Sequence, residues 1–327
     1  MRPTAVAGYF YPANPIELEQ TVSGLLGAAG VPAQEPAPKA IIAPHAGYIY
    51  SGPVAATAYA RLASAKGRVT RVVLIGPAHR VALRGLAVPS TEAFDTPFGP
   101  VSVDRQAIAS LSALPQVTVS DEAHAGEHSL EVHLPFLKAM LDEFAIVPLV
   151  AGSASADEVA QVLDLLWGGP ETLIVISSDL SHYLDYQSAR RIDAATTQAI
   201  ERLRPGDIGR DQACGRIPIA GLLDVARRRG LACRTVDLRN SGDTAGTKDR
   251  VVGYGSYLFF EHVAPELLRE RHGKTLIDVA KASIAHGLKQ GRPLAIAIPE
   301  FLSHYRRVRD EIRAFVEKLP EALTGDC

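Results

Sequence analysis

Three histidines, His45, His79 and His182, each follow a short apolar run by a few residues. Each sits in a loop rich in Gly, Pro or Ser: Pro44-His45-Ala46-Gly47, Gly76-Pro77-Ala78-His79 and Ser177-Ser178-Asp179-Leu180-Ser181-His182. A single loop histidine is ordinarily a surface or hydrogen-bonding residue, but several in equivalent settings point to a shared cleft, where imidazole can bind a transition metal or move a proton. Cys214 joins them by a different argument. It stands in Ala213-Cys214-Gly215-Arg216-Ile217-Pro218-Ile219, directly before a predicted helix with Pro218 near its first turn. Helix N-terminal amides and Arg216 would favour the thiolate there, the form that ligates metals or attacks electrophiles.

Other candidates carry weaker arguments. Cys233 lies in an apolar run and reads as packing. His124, His128 and His133 cluster within ten residues, but His128 and His133 are five apart and fall on different helix faces, so they do not form the zincin HExxH pair. Two readings stay open for them: one reaches the cleft, or all of them cap and support a helix from Leu130.

The elements that must position these residues follow an α/β rhythm. Apolar runs at residues 40–43, 71–75, 144–150 and 173–176 are short, bounded by turn residues and predicted as buried strands. Helical periodicity covers 53–62, 105–114, 130–141, 156–166, 188–203 and 219–229. Residues 86–88 and 101–103 read as an antiparallel excursion, and 233–238 with 252–260 as paired strands. The expected architecture is a central mixed, largely parallel sheet flanked by helices. Ligands of such sheets collect outside the carboxyl ends of the strands, where the three histidine loops lie. A boundary is expected near 262, dividing a domain of residues 1–262 from a helical extension, 263–327, with helices at 275–288 and 305–318.

With 327 residues, 47% of them hydrophobic, the chain can bury a substantial core. Its 34 basic and 36 acidic residues leave a net charge of -2 with no long basic run, which argues against a nucleic-acid partner. No apolar run approaches membrane-spanning length, and the first residues lack a signal-peptide core, so no membrane is expected. Three scattered cysteines suit a reducing, cytoplasmic setting better than a disulfide framework.

Several motifs in order resemble the MEMO family: Ala7-Gly8-Tyr9-Phe10-Tyr11-Pro12, Ala43-Pro44-His45-Ala46-Gly47-Tyr48 with Ser51-Gly52, Gly76-Pro77-Ala78-His79, Glu127-His128-Ser129-Leu130-Glu131-Val132-His133-Leu134-Pro135-Phe136, Ser177-Ser178-Asp179-Leu180-Ser181-His182 and Cys214-Gly215-Arg216-Ile217-Pro218-Ile219. Together they are specific, although each alone is weak. The resemblance implies a fold similar to class III extradiol dioxygenases, which hold a non-haem iron with two histidines and a carboxylate. It places metal ligands at His45, His79 and Cys214, and catalytic residues at Asp179 and His182. It also implies the role of B component in the AmmeMemoRadiSam system, with a radical-SAM protein and an AMMECR-type domain as partners. Ile217 departs from the eukaryotic pattern, which has histidine there. The resemblance puts iron first, and a thiolate in place of a carboxylate makes the site softer, so copper or zinc are alternatives. The tail faintly resembles the start of an AMMECR-type domain, with an unrelated helical extension as the alternative.

Three functions compete. The first is a metal-dependent oxidoreductase of dioxygenase-like character acting on an unidentified small molecule or peptide. The second is a non-catalytic binding module for a ligand or peptide using the same cleft. The third is a metal-free enzyme with Cys214 as nucleophile, His182 or His79 as base and Asp179 as orienter.

Overall fold

In the computed structural model, which describes residues 1–30 and 35–261, the apolar runs assemble into one 11-stranded sheet. In chain order the strands are β1 (Ala40–Ala43), β2 (Arg71–Pro77), β3 (Leu86–Val88), β4 (Ala93–Phe94), β5 (Val101–Val103), β6 (Val117–Val119), β7 (Ala145–Ala151), β8 (Thr172–Ser177), β9 (His182–Leu184), β10 (Ala232–Asn240) and β11 (Val251–Phe260). The helices are α1 (Pro15–Ala29), α2 (Tyr48–Tyr59), α3 (Arg105–Ser110), α4 (Asp121–Ala125), α5 (Leu134–Met140), α6 (Ala156–Leu166), α7 (Tyr186–Glu201) and α8 (Arg216–Arg229).

The main path runs β10-β11-β1-β8-β2-β7-β3-β6. Its centre, β1-β8-β2-β7, is parallel, while β11 and β3 join that centre antiparallel. The mixed, largely parallel sheet expected from the sequence is therefore present. Ile41, Ile42, Val73, Leu74, Ile174 and Val175 are all fully buried, although neighbours in a strand point to opposite faces. Both faces of the centre are thus covered, which is why these strands read as continuous apolar runs rather than alternating ones. Among the covering helices, α6 packs on α8 and α1 on α2.

Register fixes the site. Ala43 pairs with Ser177, and Ile75 with Ile176, so the carboxyl ends of β1, β8 and β2 stop side by side. His45, Asp179 and His79 emerge from those three ends within a few residues.

Two expectations need correction, and one helix had no counterpart in the sequence reading. The helix expected at 53–62 starts earlier, at Tyr48, with Pro53 inside it. Proline there forfeits the hydrogen bond to the Ile49 carbonyl, and Ile49 is exposed, so water can satisfy the freed group. Residues 86–88 and 101–103 form the antiparallel excursion only in part: β3 runs antiparallel to β7 and β5 antiparallel to β4, but β5 also runs parallel to β7 and does not pair with β3. Finally, α1 was not foreseen. It buries only Leu18 and Val22, a stripe too thin to register, although the Asn14 side chain accepting from the Ile16 and Glu17 amides and Pro15 at the start are a helix-entry signal. The expected helical extension, 263–327, and its AMMECR-like segment lie outside the described residues.

Candidate metal centre

His45 is buried, with Nδ1 2.6 Å from Ser177 Oγ. The single proton of Ser177 is committed to the Ser129 carbonyl at 2.5 Å, so the serine oxygen accepts from Nδ1–H and Nε2 is left as the bare nitrogen. Burial, reinforced by the neighbouring histidines, drives the pKa of His45 well below its ordinary value. The ring is a neutral donor aimed by its serine.

His79 is fixed by a carboxylate. Glu127 accepts from the His79 backbone N–H at 2.6 Å through Oε2 and from ring Nδ1 at 2.9 Å through Oε1. Burial pushes the Glu127 carboxyl up, but the hydrogen bonds from the His79 ring and from the amides of His79 and Ser129 outweigh it and hold the pKa at about 2. An ionised carboxylate can only accept, so Nδ1 carries a proton and Nε2 is the nitrogen left to face a ligand. Gly76 makes this approach of strand and loop feasible, because a Cβ there would meet Ser129 Oγ at 2.7 Å.

His128 completes the group. Its ring stacks on His79 with centroids 4.6 Å apart and meets His45 edge-on at 5.5 Å. One ring nitrogen from each of His45, His79 and His128 lies within 4.8 Å of the others. His128 Nδ1 is buried without a hydrogen-bond partner, although Glu127 Oε1 lies 3.3 Å away. Burial, only partly offset by Glu127, lowers the His128 pKa to about 4, so this ring is neutral too. Three imidazoles brought together, His45 and His128 neutral and His128 also holding an orphaned buried nitrogen, fit a transition-metal ion.

Cys214 stands beside this group, its Sγ 3.4 Å from His45 Nε2. The Asp179 N–H donates to Sγ at 3.2 Å, and Gly215 follows because a Cβ there would strike the Ser177 carbonyl at 2.5 Å. The expectation of a thiolate is overturned. α8 does begin two residues on, but burial, with the charge of Asp179, pushes the thiol up to about 12. Desolvation outweighs the helix terminus, so the sulfur is a neutral thiol in the protein alone.

Asp179 is buried and accepts from the His45 N–H at 2.7 Å. Burial raises its pKa to about 6, against the hydrogen bonds from the His45 and Ala46 amides. His182 is half-buried, and its Nδ1–H donates to the Leu180 carbonyl at 2.8 Å, leaving Nε2 free.

The two remaining histidines among the described residues serve the frame. His124 Nε2 lies 3.0 Å from the Ala87 carbonyl, and His133 Nδ1 lies 2.8 Å from Tyr59 Oη. Sequence reasoning therefore left His128 undecided and missed Glu127 as the partner of His79. The adjacent Glu127-His128 pair was the available signal.

A family model described as a Memo-like protein matches residues 2–258. The chain belongs to this family. A Memo-like relative from Aquifex aeolicus, a MEMO1 family protein, is 36% identical over 270 residues, covering 79% of this chain and 99% of the relative. Another MEMO1 family protein, from Archaeoglobus fulgidus, is 34% identical over 274 residues, again covering 79% and 99%. The crystal structure of an uncharacterized Escherichia coli K12 protein overlays with a TM-score of 0.47 at 14% identity, covering 66% of this chain and 98% of that one. In this Memo-like chain no helix among the described residues is long and apolar enough to cross a membrane.

Proposed function

We propose that this Memo-like protein holds one transition-metal ion between His45, His79 and His128, with Cys214 as a further donor beside His45, and uses it in redox or dioxygenase-like chemistry on a small molecule or peptide. The observation that carries this reading is the orientation of two rings: Ser177 and Glu127 each engage Nδ1 and leave the Nε2 atoms of His45 and His79 to face a ligand. That is the outer support expected of metal-binding histidines. The family resemblance puts iron first, and nitrogen donors with a neighbouring sulfur suit copper or zinc as alternatives.

When bound, the metal would supply Lewis acidity and, for iron or copper, one-electron chemistry. The chain's own residues would manage protons and position. Asp179, with a pKa of about 6, can hold or release a proton near neutrality while it fixes the His45 amide. His182 offers a free Nε2 as a second proton acceptor. The metal-free nucleophile reading is disfavoured, since a thiol at about 12 is a poor nucleophile at neutral pH. Cytoplasmic location and partnership with radical-SAM and AMMECR-type proteins are carried by cysteine usage and by the family resemblance, respectively.

Metal analysis after anaerobic purification tests the reading. Wild type is expected to carry up to one equivalent of iron, copper or zinc, and His45→Ala and His79→Ala to lose it. Negligible metal in wild type, with no uptake when each ion is supplied, would sink the proposal and favour a binding module.

A further inference from the structure

Asp193 is a buried carboxylate in the middle of α7, remote in sequence from every residue of the metal group. Burial raises its pKa, and aspartate is a poor residue for a helix interior, so its presence there needs a cause. Its Oδ1 accepts the Ser181 N–H at 3.0 Å. Its Oδ2 presses on β11, where a Cβ built on Gly253 would lie 2.0 Å away. Gly253 in turn holds the same loop by its main chain: its N–H donates to the Ser181 carbonyl at 2.8 Å, and its carbonyl accepts from the Leu180 N–H at 2.8 Å. We propose that Asp193 and Gly253 form a clamp that positions residues 179–182, and through them sets the spacing of His45 and Cys214 and the aim of His182.

The path from clamp to site is short. Asp179 adjoins the clamped Leu180 and touches both sides of the cleft: its carboxylate takes the His45 N–H, its N–H meets Cys214 Sγ, and its carbonyl accepts the Cys214 N–H at 3.2 Å. Ser178 Oγ accepts the Gly215 N–H at 2.9 Å, tying the next turn to the same loop. The Leu180 carbonyl aims the His182 ring. Val252 pairs with His182 at a register shift in β11, so the strand that carries Gly253 also carries the base of β9. Asp193 and Gly253 are positioning residues, since neither touches the metal group itself.

The clamp rests on the metal reading only for its consequence, and its test is built accordingly. Histidine ring 15N spectra of the metal-free, full-length protein report His45 and His182 directly, and Co2+ titration of the same samples reports the metal group. Asp193→Asn keeps an acceptor of the same shape and is expected to match wild type in both. Asp193→Ala and Gly253→Ala should shift both rings and weaken Co2+ binding by about tenfold or more, the usual scale for loss of outer support. Asp193→Glu keeps the charge but overfills the space, and should shift the rings as well. Should the alanine variants fail to fold, the Asn and Glu pair decides. Rings unmoved in folded Asp193→Ala or Asp193→Glu, or an Asp193→Asn protein as perturbed as these, would overturn the clamp. If wild type takes up no Co2+, the metal reading falls while the ring spectra still judge the clamp.

Discussion

Glu127 grips His79 at both the backbone amide, 2.6 Å from Oε2, and the ring Nδ1, 2.9 Å from Oε1. The same Oε1 also accepts from the His128 and Ser129 amides at 3.0 and 2.9 Å. One carboxylate therefore fixes the tautomer of one candidate ligand and the backbone of the next.

Glu127→Gln should consequently weaken metal binding far more than it alters the fold. Glutamine keeps one acceptor but turns an NH2 group toward donors, so it cannot serve the His79 ring and amide together. A loss of about 10- to 100-fold in affinity is expected, measured by competition with a chromophoric chelator. Unchanged affinity would remove Glu127 from the metal group.

Whether sulfur joins the nitrogen donors can be read from protons. The Cys214 thiol, held at about 12, is protonated at pH 7, whereas His45 and His128 are already neutral. If Sγ binds the ion, uptake must expel the thiol proton, and affinity should gain a tenfold increment per pH unit, roughly, that Cys214→Ala lacks. Calorimetry in buffers of different ionisation enthalpy should show wild type releasing about one proton more per metal than the variant. Equal release would confine the donor set to His45, His79 and His128.

Much of this arrangement was legible in the chain. The parallel strands announce themselves as short apolar runs because both faces are buried, and strand-end loops place His45, His79 and Asp179 together once the sheet is drawn. His128 was harder. It enters from the turn before a short helix, outside any strand-to-loop pattern, and reaches the cleft only because Glu127 and Ser129 anchor that turn to the ends of β2 and β8. The state of Cys214 was misjudged because a helix N-terminus is visible in sequence, whereas desolvation is a property of the packed structure. Long-range supports such as Arg2 with Glu131 leave no local signature at all.

That pair sets the next expectation. Arg2 and Glu131 are buried together, with Arg2 also donating to the His124 carbonyl at 2.9 Å and the Glu127 carbonyl at 2.6 Å. Glu131 further accepts from the Ala5 and Val6 amides and from Tyr11 Oη at 2.7, 3.0 and 2.6 Å. Removing the guanidinium strands a buried carboxylate, so Arg2→Ala should cost about 3–5 kcal/mol in urea unfolding. Because the Glu127 carbonyl loses its donor, metal affinity should fall as well. A cost below about 1 kcal/mol, the scale of an exposed pair, would show that the amides and Tyr11 suffice for Glu131.

Acid stability offers a check on the buried imidazoles in the metal-free protein. Burial lowers His124 and His128 to about 4 and His133 to about 3, against an unfolded value near 6.5. Between these limits the unfolded chain binds more protons than the folded one, so stability is complete above pH 6.5 and falls as pH drops toward 3–4. Glu127 acts later: its depressed pKa contributes stability above 4.5 that is lost as pH falls through about 2. Asp179, raised to about 6, and Asp193, also raised, oppose the histidines by taking up protons first in the folded protein. The depressed histidines outnumber them, so urea midpoints should still decline across this window, each histidine adding up to about 1.4 kcal/mol per pH unit. His133→Gln can retain an acceptor for Tyr59 Oη while deleting one titrating ring, so its stability should depend less steeply on pH over that window. A slope identical to wild type would mean that His133 gains its proton as readily in the folded protein as in the unfolded chain.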